Sequence, residues 1–216
     1  MTLPLATFAQ HALSKGFTVM AHTLEDGARG CLLGIAIGDS LGGSTEGYSP
    51  EQIHERFGGP VTDIVGPFRE DWQTARPISP LHKGDGHVTD DTLMTLALAE
   101  VYAEVRDHLT PFDIADHLMP KIADDVMYIP ELERETVLVH RLFFAEKWLL
   151  HRLRFAQIDP REAGVGNVVN CGAAMYIAPV GIVNAGNPEG AYAEAIDIAG
   201  AHQSSFGREA AGVHAA

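Results

Sequence analysis

Four oxygen-bearing side chains stand together at Thr89, Asp90, Asp91 and Thr92, between the glycine-rich stretch GDGHV and an amphipathic segment. Threonine and aspartate are favoured at helix N-termini, where they accept backbone N–H bonds and meet the positive end of the helix dipole. Capping accounts for one or two of these residues. Two adjacent carboxylates repel each other, however, and the flanking hydroxyls add oxygen ligands of the kind that Mg²⁺ prefers. The run is therefore compatible with a capped helix start and with a divalent-cation site.

A second acidic feature is the segment GDSLGGSTE, residues 38–46, which contains Asp39 and Glu46. The two carboxylates are seven residues apart and close to a predicted helix end, so their spacing does not place them on one face. Each has an ordinary structural interpretation. Asp39 can hydrogen-bond to a neighbouring helix, and Glu46 can be solvated.

Helical periodicity dominates the segments that must position these residues. Residues Ala28, Cys31, Leu32, Ile35 and Ala36 recur at spacings of three and four, which predicts a core stripe on a helix that runs into GDSLGG. On the same segment Gly30, Gly34 and Gly38 repeat every four residues, which predicts that another helix approaches closely there.

Further helices are predicted along the rest of the chain. One begins at Asp90 and runs toward Val105, and the next starts at Thr110 and Pro111 as a cap and first-turn proline. A long helix is predicted over 132–155 and an alanine-rich one over 189–199. Residues 42–88, rich in glycine and proline, are predicted to form a long irregular connection. Strand signals are scarce, so the fold class is all-α, arranged as a single-domain helical bundle.

Composition limits the classes of partner. The chain of 216 residues has 15 basic and 29 acidic side chains, a formal net charge of -14, which disfavours nucleic acid and anionic membranes. No segment has the length of uninterrupted apolar sequence needed to span a membrane, and no signal peptide is recognisable. Two cysteines are too few for a secreted disulfide framework. A cytoplasmic, monomeric protein is expected.

Four blocks in a fixed order carry a family resemblance. They are GCLLGIAIGDSLGGSTE, GHVTDDTLMTLALA, NCGAAMYIAPVG and AHQSSFGREAAG. In this order they resemble the ADP-ribosylglycohydrolase family, which includes the enzyme that reactivates dinitrogenase reductase and the eukaryotic ADP-ribose hydrolases. The most specific part is TDDT following the glycine-spaced helix. The resemblance implies an all-α, Mg²⁺-dependent hydrolase of a glycosidic bond to ADP-ribose, acting on an ADP-ribosylated protein or an ADP-ribose-type small molecule.

The resemblance also assigns roles to individual residues. Thr89, Asp90 and Asp91 match the first half of the family's two-ion metal site, and the catalytic residues it implies are Glu46, Asp90 and Asp91. Two cations could polarise the ribose hydroxyls and activate water against an oxocarbenium-like centre. Glu46 would serve as general base, or as electrostatic stabiliser of the positive charge.

Substrate contacts are implied in the two later blocks. Asn170 and Gly172 fall in what resembles the family's glycine-rich substrate loop. His202, Ser204 and Gly207 resemble the H-x-S-S-x-G stretch that lies near the diphosphate in some members. A histidine and backbone N–H donors suit an anion, particularly at a helix N-terminus.

Two departures from the family pattern affect the predicted function. Met175 is followed by Tyr176 where most members have arginine, which removes a positive donor. The family's second metal block, a G-D-T-D-[ST] segment, is absent. We therefore expect residues 1–24 to form an N-terminal extension, read as a helix or a partly ordered segment, and residues 25–216 to form a family domain without its C-terminal metal block.

The missing block leaves several interpretations open. The chain is either a truncated form of an active hydrolase, which its helical ending GVHAA favours, or a complete product with half of its metal site, holding one ion or none. The alternatives to hydrolysis of ADP-ribose linkages are a non-catalytic ADP-ribose binder, a crystallin-like structural protein, and an N-glycoside hydrolase acting on another nucleoside-type substrate.

Overall fold

A computed structural model describes residues 22–74 and 83–216, and helices predominate in these ranges. The helices are α1 (Leu24–Gly42), α2 (Pro50–Phe57), α3 (Asp90–Val105), α4 (Pro111–Asp113), α5 (Met119–Ala123), α6 (Phe144–Leu149), α7 (Ala178–Val183), α8 (Pro188–Ala199) and α9 (Ser205–Ala215). Wider π-type turns over Ile114–Leu118 and Leu150–Phe155 join α4 to α5 and extend α6. The predicted all-α fold class is confirmed.

Helix α3 lies at the centre of the hydrophobic core. Its residues Met94, Leu98 and Val101 are completely buried. They pack with apolar side chains from the segments that follow, namely Ile114, Leu118, Ile122, Leu142, Leu149, Ile177, Val180 and Ile198. Helices α8 and α9 pack against each other and against α7, and α7 contacts α3. Because the core residues of α3 anchor it along its length, the Thr89–Thr92 run at its start has a fixed position.

Helix α1 differs from its prediction. None of its residues is buried, and Cys31 is exposed, so the predicted core stripe is wrong in the described part of the chain. A Cβ atom added at Gly30, Gly34 or Gly38 would meet no atom within 4 Å, so no described helix approaches the glycine row. Helix α1 contacts α3 and α7, but these contacts bury none of its residues. The predicted close approach is therefore also wrong.

A helix interrupts the predicted irregular connection. Helix α2 has a complete capping box, in which Ser49 Oγ accepts from Gln52 N and Gln52 Oε1 accepts from Ser49 N. Pro50 occupies the first helical position, and Gly58 ends the helix with a left-handed φ of 77°. These are ordinary start and stop signals. The prediction of a wholly irregular segment was wrong because it took the glycine and proline residues as loop signals, although Pro50 and Gly58 are the start and stop signals of α2.

The long helix predicted over 132–155 is also wrong. Strand β1 (Val126–Ile129) pairs antiparallel with β2 (Arg134–Val137), and the only helix proper in the predicted range is α6. Glu133 turns the chain with a φ of 51°. Val126, Tyr128 and Ile129 are β-branched or aromatic residues, which favour a strand. The apparent helical period arose from several short elements in succession.

Other predicted boundaries are confirmed. Helix α3 begins at Asp90, and Thr110 precedes Pro111 at the start of α4. The alanine-rich helix is α8, capped by Asn187, whose side chain accepts from Gly190 N. In the described ranges no helix combines the length and hydropathy that a bilayer span requires. The predicted N-terminal extension lies, through residue 21, outside the described residues.

Candidate active site

Asp39, at the end of α1, holds the start of α3. Its Oδ1 accepts a hydrogen bond of 2.6 Å from Thr89 Oγ1, and its Oδ2 accepts bonds of 2.8 Å from Thr89 N and 2.6 Å from Thr92 Oγ1. Thr92 N donates to the same Oδ2 at 3.2 Å. The carboxylate also faces the positive end of the α3 dipole. A Cβ atom at Gly43 would lie 2.6 Å from Thr89 Cγ2, so this close approach requires glycine.

Asp39→Ala is expected to lower the free energy of unfolding by about 2 kcal/mol, because the two threonine hydroxyls lose a charged acceptor. Urea denaturation would measure this loss. Asp26→Ala is the matched control, since Asp26 completes an exposed capping box with Thr23 at the other end of the same helix. The control should cost only about 1 kcal/mol. Equal losses in both variants would contradict the role given to Asp39.

The capping interpretation of the Thr89 run is confirmed. Thr89 is the N-cap of α3, and its side chain accepts from Asp91 N. The residue is 3% exposed, and Thr89 Oγ1 lies 3.1 Å from Asp91 Oδ2 as well as 2.6 Å from Asp39. Asp39 also makes the hydrogen bonds to a neighbouring helix that its ordinary interpretation predicted. The role of Thr89 as a metal ligand stays a prediction.

A cavity of about 310 Å³ opens beside this helix start. Four carboxyl-bearing residues line it: Glu46, Asp90, Asp91 and Glu146. Asn170 and Gly172 also line the cavity, and its apolar surface comes from Phe143, Phe144 and Met175. The volume and the mixture of apolar walls with a few converging polar groups are typical of small-molecule sites. Five of the predicted site residues are thus brought together, while Thr89, His202, Ser204 and Gly207 are not part of the lining.

The cavity is strongly acidic, and this affects how its carboxyl groups ionise. Burial, followed by the charge of the neighbouring Asp91, raises the pKa of Asp90 to about 6, although a backbone hydrogen bond and the Arg141 charge oppose the shift. The pKa of Glu46 is raised by burial and then by Asp91 and Asp39. Burial and like charges both disfavour the ionised form. A cation in the cavity would relieve this repulsion.

Glu146 was not predicted as a site residue. It lies on α6, is 1% exposed, and its Oε2 has no hydrogen-bond partner in the described structure. Its Oε1 lies 3.5 Å from His202 Nε2. Burial raises the pKa of Glu146 to about 8, with a further contribution from the charge of Asp90. The signal in the sequence was a single acid within the apolar run LFFAEKWLL, where a carboxylate is costly to bury.

The Asn170 loop is held from behind the cavity. Asn170 Oδ1 accepts hydrogen bonds of 2.9 Å from both Gly172 N and Gln203 Nε2. A Cβ atom at Gly172 would stand 2.9 Å from Asn170 Oδ1 and 3.1 Å from Glu146 Oε1. A larger residue at Gly172 would therefore press on both polar groups. The loop is ordered by these contacts, which favours a fixed shape for this wall.

His202 lies in the interior, behind that wall. Its ring is 0% exposed and stacks on Tyr176, whose hydroxyl is 3.1 Å from His202 Nδ1. Burial lowers the pKa of His202 to about 3, so the ring is neutral near pH 7. Tyr176, which departs from the arginine of the expected family pattern, is itself 2% exposed. Neither side chain reaches the cavity, so contact between His202 and a diphosphate stays an untested prediction.

Ser204 and Gly207 stand at the start of α9, away from the cavity lining. Ser204 is the N-cap residue of that helix, without a side-chain capping bond. Gly207 is buried, and a Cβ atom there would lie 2.7 Å from Gln203 Oε1 and 3.0 Å from Asn170 O. Gly207 therefore permits α9 to pack against the Asn170 loop. Its predicted contact with substrate is not tested by this geometry.

A bound metal ion needs several ligands that converge on one point. Within residues 22–74 and 83–216, no group of three or more His, Cys, Asp or Glu side chains converges as metal ligands. The donor chemistry nevertheless fits a hard cation. Asp90 and Asp91 are adjacent carboxylates at a cavity wall, and the pKa of Asp90 is raised by burial and then by the charge of Asp91, two unfavourable effects that a cation would offset.

Three curated relatives match parts of the chain. An uncharacterized protein of Archaeoglobus fulgidus is 29% identical over 165 residues, which is 74% of this chain and 44% of the relative. The ADP-ribosylarginine hydrolase Tri1 of Serratia proteamaculans is 39% identical over 79 residues, 36% of this chain and 16% of that protein. The ADP-ribosylarginine hydrolase Tri1 of Pseudomonas putida is 34% identical over 89 residues, 41% of this chain and 19% of that protein.

These matches are partial on the side of the relatives, since the chain spans less than half the length of each. No solved structure matches the chain significantly. A sequence profile described as ADP-ribosylglycohydrolase matches residues 20–216, which includes all of the cavity residues. Nearly the whole chain is covered by that match, so the chain belongs to the ADP-ribosylglycohydrolase family.

Proposed function

We propose that this protein hydrolyses a glycosidic bond to ADP-ribose and releases ADP-ribose from a modified protein. The observation that carries the proposal is the meeting of Glu46, Asp90 and Asp91 with the Asn170 loop around one cavity. These residues come from segments far apart in the sequence and belong to three blocks of the family pattern. The fold thus supports a shared role for them.

An arginine linkage is the substrate that we favour. Two relatives bear the name ADP-ribosylarginine hydrolase. A guanidinium group is cationic and planar, and the cavity offers it acidic side chains together with the aromatic surfaces of Phe143 and Phe144. In the hydrolysis, water gives its hydroxyl to the anomeric carbon and a proton to the leaving nitrogen, so arginine departs as a guanidinium that this acidic environment attracts.

The proposed cofactor is Mg²⁺, with Thr89, Asp90 and Asp91 as the residues that would hold it. When bound, a divalent cation supplies Lewis-acid polarisation of the ribose hydroxyls and of water. Support comes from the all-oxygen donor set and from the raised pKa of Asp90 in the acidic cavity. The Asp39 contact with Thr89 would keep the hydroxyl end of this set in position.

The remaining roles are assigned to side chains of the chain itself. Glu46 would accept the proton of the attacking water, and its raised pKa makes it a stronger base than an ordinary surface glutamate. An ionised Glu46 would also stabilise positive charge at the anomeric carbon. Asn170 and Gly172 would bound the substrate on the opposite side, and Phe143 would exclude water.

The proposal also includes a location in the cytoplasm and a monomeric state.

The test is release of ADP-ribose by the 216-residue chain from an arginine-ADP-ribosylated peptide, followed by chromatography across a Mg²⁺ series. We expect release that requires Mg²⁺ and stops with a chelator. A serine-linked peptide and a simple nucleoside serve as matched substrates that should react more slowly. Release that ignores the chelator would contradict the metal assignment. ADP-ribose binding without turnover at any Mg²⁺ concentration would overturn hydrolysis in favour of a binding protein.

A further inference from the structure

A second cavity lies between the β-hairpin and the loop that leads into α3. Its volume is about 390 Å³, and it shares no lining residue with the candidate active site. The volume falls within the range of cavities that hold small molecules. His87 and Arg141 line the cavity with polar side chains. Met127, Tyr128 and Glu131 line it from the hairpin and its turn.

The polar part of this cavity contains an arginine whose donors are not all used. Arg141 is 1% exposed, and its Nη2 donates to Val88 O at 2.5 Å. Its Nε lies 3.5 Å from Glu131 Oε2 without forming a hydrogen bond, and its Nη1 also has no partner in the described structure. Arginine keeps its charge at all ordinary pH values. A buried donor without an acceptor is destabilising, and an acceptor on a ligand would remove that cost.

Glu131 provides the complementary acceptor next to this donor. Its side chain is 7% exposed, and its Oε1 lies 2.7 Å from His87 Nδ1. The Glu131 and Arg141 charges are opposite and close, and the other carboxylate of the lining, Asp85, pairs with Lys83 at 3.1 Å, so the charges around the cavity are balanced. An anionic ligand would be repelled by Glu131 and a cationic one by Arg141, so a neutral group with both an acceptor and a donor fits best.

The remaining walls are apolar and partly open. Tyr128 is 59% exposed and Met127 is 45% exposed, while Ile129 and Leu138 are buried. Exposed apolar side chains around a polar end are suited to a flat aromatic or aliphatic body. The ligand therefore combines such a body with a compact polar head.

We propose that this second cavity binds a small neutral carboxamide on an aromatic or aliphatic body. Its carbonyl oxygen accepts from Arg141 Nη1, and its amide nitrogen donates to Glu131. The apolar body lies against Met127 and Tyr128. The proposal does not depend on glycosidase activity, because it concerns a separate cavity and is measured by binding.

The test compares benzamide, benzoate and benzylamine, which share one ring and differ in the charge of the head group. Calorimetry with the whole chain is expected to show saturable benzamide binding, with benzoate and benzylamine at least about 10-fold weaker, a difference of about 1.4 kcal/mol. Equal binding of the three probes, or no benzamide binding, would overturn the proposal.

Variants locate the binding without disturbing the buried pair. Tyr128→Ala changes an exposed wall residue and should weaken benzamide binding at least about 3-fold. Val126→Ala, on the same strand and 67% exposed but outside the lining, should leave it unchanged. Unchanged binding in Tyr128→Ala, or displacement of benzamide by ADP-ribose, would overturn the assignment to this cavity.

Discussion

Glu146→Gln is expected to raise the free energy of unfolding by on the order of 4 kcal/mol at pH 9 while changing it little at pH 4. Glutamine has the shape of protonated glutamate and carries no charge. In the folded protein, burial raises the pKa of Glu146 from 4.5 to about 8. The substitution therefore removes the cost of burying a carboxylate but keeps the packing of the side chain.

The direction follows from the protons bound in each state. Between pH 4.5 and 8 the unfolded chain has released the Glu146 proton and the folded chain still holds it. Stability contributed by the protonated group is thus complete at low pH and is lost as the pH rises through the folded-state value. Asp90, whose pKa is raised to about 6, acts in the same direction with a smaller effect.

Denaturant unfolding at pH 4, 7 and 9 in the presence of a chelator would measure this difference. Glu55→Gln is the control, because Glu55 is exposed on α2 and its substitution should leave the pH profile of stability unchanged. A Glu146→Gln profile parallel to that of the unmodified protein would show that Glu146 is already ionised in the folded state.

Local sequence signals explain what could be predicted. Thr89 and Asp90 mark the start of α3, and Thr110 with Pro111 marks the start of α4, because each cap acts through backbone groups within three residues. The family resemblance implied that Glu46 and Asn170 both lie near the substrate, and both line the same cavity, which their spacing in the sequence alone could not predict.

Long-range contacts explain what could not be predicted. The role of Glu146 depends on its burial beside the Asn170 loop, and that of Arg141 on contacts with Val88 and Glu131. Neither residue belongs to a motif with a fixed spacing. Burial of a charged residue is decided by how the elements pack, which periodicity along one segment does not describe.

The errors in the helix predictions have a common cause. In 132–155 the apolar residues recur at helical intervals, yet the chain reverses at Glu133 and its first part pairs with β1. On α1 the apolar and glycine pattern was helical, but periodicity does not tell which face is covered. Hydrophobic spacing thus predicted α1 itself correctly and its burial incorrectly.

Asp91→Asn is expected to reduce Mg²⁺-dependent release of ADP-ribose by at least about 100-fold, because the proposed ligand loses its charge and one anionic oxygen. The Mg²⁺ concentration that gives half-maximal release should rise as well. Stability should not fall, since the substitution removes a charge that repels Asp90 and Glu46. Turnover across a Mg²⁺ series and urea denaturation measure the two effects separately.

Asp125→Asn is the matched control for this substitution. Asp124 and Asp125 form the other adjacent pair of aspartates, and both are exposed in the turn before β1, outside the cavity. The control should release ADP-ribose at the unmodified rate. If Asp91→Asn also kept that rate, the adjacent carboxylates at the start of α3 would have only the capping role. A loss confined to Asp91→Asn, with stability retained, separates the chemical role of this carboxylate from its contribution to the fold.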